Sequence, residues 1–270
     1  CDIFKMNMET NSLVAHGVST CAGCALEIII RNVLSVLGEN TVIVIPPGCS
    51  AIFSGYGKNT ALKIAGFQGN LENTAAIASG IRAGFNVQGK YDITVLGFAG
   101  DGATVDIGLQ SLSGMFERGD KVLYICYDNE AYMNTGVQAS GSTPSGAQTS
   151  TTPYGKKCYS KNMIDIARAH RIPYIASASI ADLDDLKKKV QKGSIANGPA
   201  YIHIHAPCPT GWDFPANLTI NVAKLAVQTG CWMLCEIENG VLSMEGRSVD
   251  LVPLENYLKL QGRFKNLTES

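Results

Sequence analysis

Gly100-Asp-Gly102, a helix-like run, the apolar segment Val122-Leu-Tyr-Ile-Cys126, then Tyr127-Asp-Asn-Glu-Ala-Tyr-Met-Asn134: residues 100–134 carry the decisive signal in this chain. An acidic residue between two glycines at a strand end, with the oxygen-bearing Asn129 after the following strand, suits a metal-bridged diphosphate. Mg²⁺ takes oxygen ligands in octahedral geometry, usually one or two protein carboxylates with phosphate oxygens and water. Asp101 can supply a carboxylate and Asn129 an amide oxygen, while Gly100 and Gly102 permit close backbone approach. A helix starting near Thr104 would turn its N-terminus to the phosphates. A bare Gly-Asp-Gly fits a tight strand-to-helix turn equally well; the second ligand one strand later makes the diphosphate reading the stronger.

Outward from this stretch, the pattern alternates strand and helix. Upstream, Tyr91–Phe98 reads as a strand, the Ala-rich Asn73–Phe85 as a helix, and Thr41–Ile45 as a buried strand stopped by Pro46-Pro47-Gly48. Residues 22–37 place apolar side chains at helical spacing. Val105–Glu117 is expected to be a helix and Lys121–Tyr127 a strand. Residues 134–155, rich in Gly, Ser, Thr and Pro, are too long for a simple connection, and such loops are usually functional or disordered. Beyond them come a helix near Asn162–His170, a strand at Tyr174–Ala178, a helix opened by Ser179 with Asp182 as its capping-box partner, and a strand at Tyr201–His205. This order predicts an α/β fold, a mostly parallel sheet with helices on both faces and sites beyond the carboxyl ends of its strands. Residues 1–240 read as one domain, and 241–270 as a C-terminal extension packed on that domain or on a partner. No internal repeat is visible.

Composition narrows the function classes. A chain of 270 residues with net charge −1 gives no reason to expect nucleic-acid binding. Arg31 interrupts the best apolar run, so a membrane span is not expected. The first residues lack the blocks of a signal peptide, which makes the cytoplasm the expected location. A charged fraction of only 17% suggests that part of the surface is covered by other chains.

Nine cysteines in such a chain call for metal binding rather than disulfides. Cys21-Ala-Gly-Cys24 is a C-x-x-C at a helix start, with Cys49 in a loop and Cys208 at a strand end. Four thiolates suit a four-iron, four-sulfur cluster or zinc, and spacing alone does not choose. Cys126, inside a strand, reads as core. Cys1, Cys158, Cys231 and Cys235 have no complete ligand set. His203 and His205 share one strand face and read as structural histidines.

Gly100-Asp-Gly102 with Asn129 matches the thiamine diphosphate fingerprint, and the likeness is wider than that. Asp106–Gly114, Tyr127–Gly136, Thr143-Pro144, Thr151-Thr-Pro153, Gly198–Ile202, Cys208–Trp212 and Tyr257–Lys265 together resemble the β subunit of 2-oxoacid:ferredoxin oxidoreductases of the pyruvate type. The resemblance implies Mg²⁺ ligands at Asp101, Asn129 and the carbonyl of Ala131, with Gly48, Gly100, Gly102 and Asn134 also at the cofactor. It makes Asn134 the residue beside the reacting carbon. It places the ligands of one 4Fe–4S cluster on Cys21, Cys24, Cys49 and Cys208.

The activity implied is oxidative decarboxylation of an oxoacid, with electrons passed through the cluster to ferredoxin and, for pyruvate, transfer of the acyl group to coenzyme A. Donors in the Ser140–Gly146 loop are expected to stabilise charge on the intermediate. The glutamate that activates thiamine should come from an α-type subunit, with γ-type and ferredoxin-like subunits completing the complex. Where the family often carries Trp-Ile-His-x-Ala-Phe-Glu-Asn, this chain has Phe67-Gln-Gly-Asn-Leu-Glu-Asn73. That departure brings oxalate in beside pyruvate as a substrate, with Gln68 or Asn70 as polar contacts. The rival readings are a non-redox thiamine lyase or synthase, which would need no cluster ligands, and a cluster-carrying scaffold, which would need neither Asp101 nor Asn129.

Overall fold

The computed structural model describes residues 12–55, 59–243 and 251–268; Cys1 lies outside them. In chain order the elements are α1 (Ala25–Leu37), β1 (Thr41–Ile45), α2 (Cys49–Ser54), β2 (Ala65–Gln68), α3 (Thr74–Val87), β3 (Thr94–Gly100) and α4 (Leu109–Arg118). They continue with β4 (Leu123–Asp128), α5 (Met163–Ala169), β5 (Tyr174–Ser179), α6 (Leu183–Ile195), β6 (Ala200–His205) and α7 (Pro209–Trp212). The C-terminal part adds α8 (Thr219–Gln228), β7 (Glu236–Glu238), β8 (Val241–Ser243), α9 (Glu255–Leu258) and α10 (Lys265–Thr268).

The eight strands form one sheet in the order β2-β1-β3-β4-β6-β5-β7-β8. Pairing is parallel from β2 through β5 and antiparallel only at β7 and β8. Strands β4, β5 and β6 are buried along their whole length, as expected where helices cover both faces. On one face Ile29, Ile30, Val33 and Leu34 of α1 and Leu186 and Val190 of α6 pack on Ile43, Leu96, Ile125 and Ile202. On the other, Leu112, Met115 and Phe116 of α4 and Met163 and Ala167 of α5 pack on Val95, Tyr124, Cys126, Ile175 and Tyr201. A third cluster of Trp212, Phe214, Val222, Ala226 and Tyr257 sits past the end of β6. Among the described residues no helix is long and apolar enough to cross a membrane.

The strand and helix order follows the sequence reading, with three instructive differences. A π-helical turn, Gly102–Asp106, separates β3 from α4, where a single α-helix from Val105 was expected. Such turns often mark functional sites. The helix expected to open at Ser179 begins at Leu183, because Asp182 is its N-cap and accepts the backbone N–H of Asp185. The segment Phe67–Asn73, read as a loop, starts as the edge strand β2. That strand, α2 and the short β7 and β8 carry too little periodicity to be seen beforehand, whereas α8, with Thr219, Val222, Ala223 and Ala226 buried at helical spacing, was overlooked. In the C-terminal segment Tyr257, Arg263 and Phe264 are buried.

Leu96, wholly buried at the centre of β3, sets the strand that delivers Asp101. Leu96→Ala should lower unfolding stability by about 2–5 kcal/mol, measured by denaturant titration, through lost transfer energy and the cavity left behind.

Candidate active site

Asp101 and Asn129 follow the carboxyl ends of β3 and β4, which are neighbours in register, with Gly100 opposite Tyr127. Asp101 is almost wholly buried. Burial, and next the negative charge of Asp128, push its carboxyl well above the usual carboxylate range. Its Oδ2 accepts a 2.5 Å hydrogen bond from Ser140 Oγ, which leaves Oδ1 for another partner. The side-chain oxygen of Asn129 lies 2.8 Å from the Ala131 carbonyl oxygen and 3.0 Å from Asp101 Oδ1. Three acceptors at that spacing repel one another. Turning the amide over would replace the repulsion with two hydrogen bonds, which suits the chain without a cation. The oxygen-inward orientation suits a shared cation: neighbouring ligands on an octahedral Mg²⁺ lie about 2.9 Å apart, given metal–oxygen distances of about 2.0–2.1 Å. The donor set therefore fits a hard divalent ion.

The loop that offers these oxygens is fixed on every side. Glu130 adopts a left-handed conformation, φ 63°. Its N–H donates to Asp128 Oδ1 at 2.8 Å, and its carbonyl accepts from Thr143 Oγ1 at 2.5 Å. The Asn129 carbonyl accepts from Trp212 Nε1 at 2.8 Å. The Ala131 carbonyl accepts no backbone hydrogen bond among the described residues. It is the one acceptor the loop leaves for a ligand.

A cavity of about 180 Å³ opens beside these groups, lined among others by Gly48, Leu71, Gly100, Asp101, Gly102, Asn129, Ala131 and Asn134. The two flanking glycines line this cavity and meet a second constraint as well. A Cβ on Gly102 would collide with the Tyr132 ring, and one on Gly100 would come within 3.0 Å of Tyr127. The space is filled by aromatic rings, which press the turn into place; Tyr132 also donates to the Gly102 carbonyl at 3.2 Å.

A second cavity, also about 180 Å³, is lined by Cys21, Cys24, Cys49 and Cys208. Cys24 caps α1, Cys49 opens α2 and Cys208 caps α7, where its sulfur accepts the Gly211 N–H at 3.3 Å. Burial, then the neighbouring thiols, push Cys49 up to about 12. Burial likewise raises Cys24, and takes Cys208 to about 11. Metal binding would have to displace those protons. Among the described residues no three Cys, His, Asp or Glu side chains converge on a single ion position. Four thiols lining one cavity are the donor type of a zinc site or of an iron–sulfur cluster. The two cavities share Cys49, Tyr127, Asn129, Met133 and Asn134 as a common wall.

Residues 47–204 match the family described as thiamine pyrophosphate enzyme, C-terminal TPP binding domain. Over 269 residues the chain is 47% identical to the pyruvate synthase subunit PorB of Methanothermobacter thermautotrophicus, covering 98% of this chain and 93% of that protein. The chain belongs to the thiamine diphosphate-binding β subunits of the 2-oxoacid:ferredoxin oxidoreductases. A ketoisovalerate oxidoreductase subunit VorB from Pyrococcus abyssi is also 47% identical, over 97% of this chain and 87% of that one. Among solved structures, a 2-oxoglutarate:ferredoxin oxidoreductase from Magnetococcus marinus matches with TM-score 0.66 at 22% identity, covering 76% of this chain and 69% of its own. That likeness speaks for the fold alone.

In this β subunit two hydroxyls of the Ser140–Gly146 loop have protein partners. Ser140 and Thr143 spend their hydroxyls on Asp101 and Glu130, and Lys156 Nζ donates to the Ser140 and Thr143 carbonyls at 2.9 and 2.6 Å. The loop braces the oxygen trio. Gln68 and Asn70 are exposed and do not line the cofactor cavity, whereas Leu71 does. Asn134 stands exposed at the wall common to both cavities. Trp212 and Arg263 were missed as site residues, although both fall within quoted motifs; their contacts with residues 129–130 exist only in three dimensions.

His203 joins Asp128 at 2.6 Å through Nε2 and Tyr201 at 2.5 Å through Nδ1. His205 stacks between Trp232 and Trp212, and burial pushes it down to about 3. Being disfavoured as imidazolium in the fold, it should stay neutral from pH 5 to 8, seen as a flat His205 Cε1–H chemical shift; a mid-range titration would refute this.

Proposed function

We propose that this chain is the thiamine diphosphate- and cluster-carrying subunit of an oxidoreductase that oxidatively decarboxylates a small 2-oxoacid, pyruvate foremost, and passes the electrons to ferredoxin. The observation that carries the reading is the shared wall. A buried set of three oxygens and a set of four thiols face two cavities divided only by residues such as Cys49, Met133 and Asn134. When bound, thiamine diphosphate supplies the carbanion chemistry that releases carbon dioxide from a 2-oxoacid, and a 4Fe–4S cluster supplies one-electron acceptor chemistry beside it.

In this reading Asp101, Asn129 and the Ala131 carbonyl hold Mg²⁺, with Gly48, Gly100 and Gly102 against the cofactor. The free N–H groups at the start of the π-helical turn after Asp101 offer donors to the diphosphate. Ser140 orients Asp101 by occupying its second oxygen. The Asn134 amide donates to the oxygen derived from the substrate's keto group. Leu71, Met133 and Tyr127 keep water from the carbon centre. Cys21, Cys24, Cys49 and Cys208 ligate the cluster.

Pyruvate is favoured over oxalate because no Lys, Arg or His lines the cofactor cavity among the described residues, so this chain offers a second carboxylate no cation. The names of the relatives, pyruvate synthase and ketoisovalerate oxidoreductase subunits, support monocarboxylic oxoacids. An α-type subunit would supply the pyrimidine-activating glutamate, γ-type and ferredoxin-like subunits would extend the electron path, and coenzyme A would take the acyl group. Eight unpaired cysteines among the described residues fit a reducing compartment, the cytoplasm. The sharing of one wall by both sites argues against a non-redox lyase and against a mere cluster scaffold.

Viologen reduction by the complex tests this directly: pyruvate with coenzyme A should drive it and oxalate should not. The reverse preference would transfer the substrate assignment to oxalate. Asp101→Ala should weaken thiamine diphosphate binding by about a hundredfold or more, read by equilibrium dialysis, while visible cluster absorption is kept. Unchanged cofactor content would remove the metal assignment. Cys49→Ser should retain the cofactor and lose viologen reduction; full reduction by that variant would remove the cluster assignment.

A further inference from the structure

Glu130 lies between the two residues whose oxygens meet Asp101, and its side chain reaches away from them into the protein. There Oε2 forms an ion pair with Arg263 Nη1 at 2.6 Å. Both residues are buried, Glu130 at 8% exposure and Arg263 at 5%. The Arg263 guanidinium lies 3.7 Å from the centroid of the Trp212 ring, and the same indole donates its N–H to the Asn129 carbonyl. Arg263 therefore bears on both flanks of the oxygen-bearing loop, through charge on Glu130 and through a stacked ring on Asn129. It is itself fixed from two sides: its Nε donates to Gln261 Oε1 at 2.9 Å, and its carbonyl accepts the Gln148 N–H at 2.8 Å.

A buried arginine–glutamate pair is weak evidence for stability, because desolvation of both charges offsets most of their attraction. What it supplies is geometry. Glu130 at φ 63° is in a conformation that residues with a Cβ disfavour. Reversal of that one peptide would swing the Ala131 carbonyl and the Asn129 side chain apart. Asp128 and Thr143 hold the Glu130 backbone; Arg263 holds the side chain that a relaxed loop would carry to another position.

We propose that Arg263, seated on Trp212, is a positioning residue for the cation site: the C-terminal segment holds Asn129-Glu130-Ala131 in the shape that directs two of three oxygens to one point. This rests on the reading in which Asp101, Asn129 and Ala131 hold the divalent ion of thiamine diphosphate. Arg263 touches neither cofactor nor substrate. Its effect is transmitted through Glu130 and Trp212. Because Trp212 closes α7, whose cap is Cys208, the same indole also supports the turn carrying one of the four thiols.

The test uses the full chain in its native complex, with labelled thiamine diphosphate bound in equilibrium dialysis over a series of Mg²⁺ concentrations. Arg263→Met keeps the bulk over Trp212 and removes the charge; Glu130→Gln is nearly isosteric. Each should raise the half-saturating Mg²⁺ concentration roughly tenfold, within the usual range of coupling between linked sites. Arg263→Lys should recover part of that shift, and the Arg263→Met/Glu130→Gln double variant should be no worse than the poorer single one, since both remove one interaction. Mn²⁺ in place of Mg²⁺ should give an altered electron paramagnetic resonance spectrum in Arg263→Met. A lowered melting temperature with an unchanged Mg²⁺ dependence would reduce Arg263 to a structural residue and overturn the proposal. Asp101→Asn separates the two levels of the argument. If it abolishes Mg²⁺-dependent binding while Arg263→Met leaves it unmoved, only the role of Arg263 fails. If Asp101→Asn has no effect, the cation reading fails and the role of Arg263 falls with it.

Discussion

The loop at the carboxyl ends of two neighbouring strands, where Asp101 Oδ1 and the Ala131 carbonyl both lie within 3.0 Å of the Asn129 side-chain amide, is the constraint around which this structure is arranged. Asp101 is buried and Asn129 and Ala131 belong to a loop with a left-handed residue at its centre, so each is held against its own preference. The compensation comes from elsewhere in the chain. Ser140 and Thr143 reach in from the long loop after β4, Lys156 secures that loop, and Trp212 and Arg263 arrive from far along the sequence. Hydrogen bonds from Thr143 and Trp212 satisfy the Glu130 and Asn129 carbonyls, while the Ala131 carbonyl accepts no backbone hydrogen bond among the described residues.

The second organising fact is proximity. The thiol-lined cavity and the oxygen-lined cavity share a wall because Cys49 follows Gly48 at the end of β1, while Cys208 follows β6, so both come to the same sheet edge as Asp101. Parallel strands place all their carboxyl ends on one side, where ligands of such sheets collect. In the proposed function this puts an electron acceptor at short range from the carbon centre that becomes electron-rich. The sheet topology provides that neighbourhood without any element dedicated to it.

Much of this was legible in the amino-acid order. The central strands announced themselves because strands covered on both faces are almost continuously apolar, and Asp101, Asn129 and the four cysteines stand in motifs whose spacing carries chemistry. Elements with weak periodicity escaped: β2 is exposed at an edge, α2 has six residues, and β7 and β8 have three each. The glycines of the Gly-Asp-Gly motif line the cavity, and the fold places a further constraint on them. Local sequence cannot show that Tyr127 and Tyr132 will occupy the space a Cβ would need. Nor can it show that Ser140 and Thr143 will turn their hydroxyls to Asp101 and the Glu130 carbonyl.

Sequence by itself determined the α/β order, which follows from periodicity, and marked Asp101, Asn129 and the four cysteines as candidate ligands by their donor chemistry. Tertiary structure alone decided that Oδ1 rather than Oδ2 of Asp101 is left open, that oxygens and thiols share a wall, and that Arg263 reaches Glu130 from far along the chain. The physical reason is common to all three. Each depends on how segments distant in sequence come together, through side chains that meet buried polar groups or through the order of parallel strands.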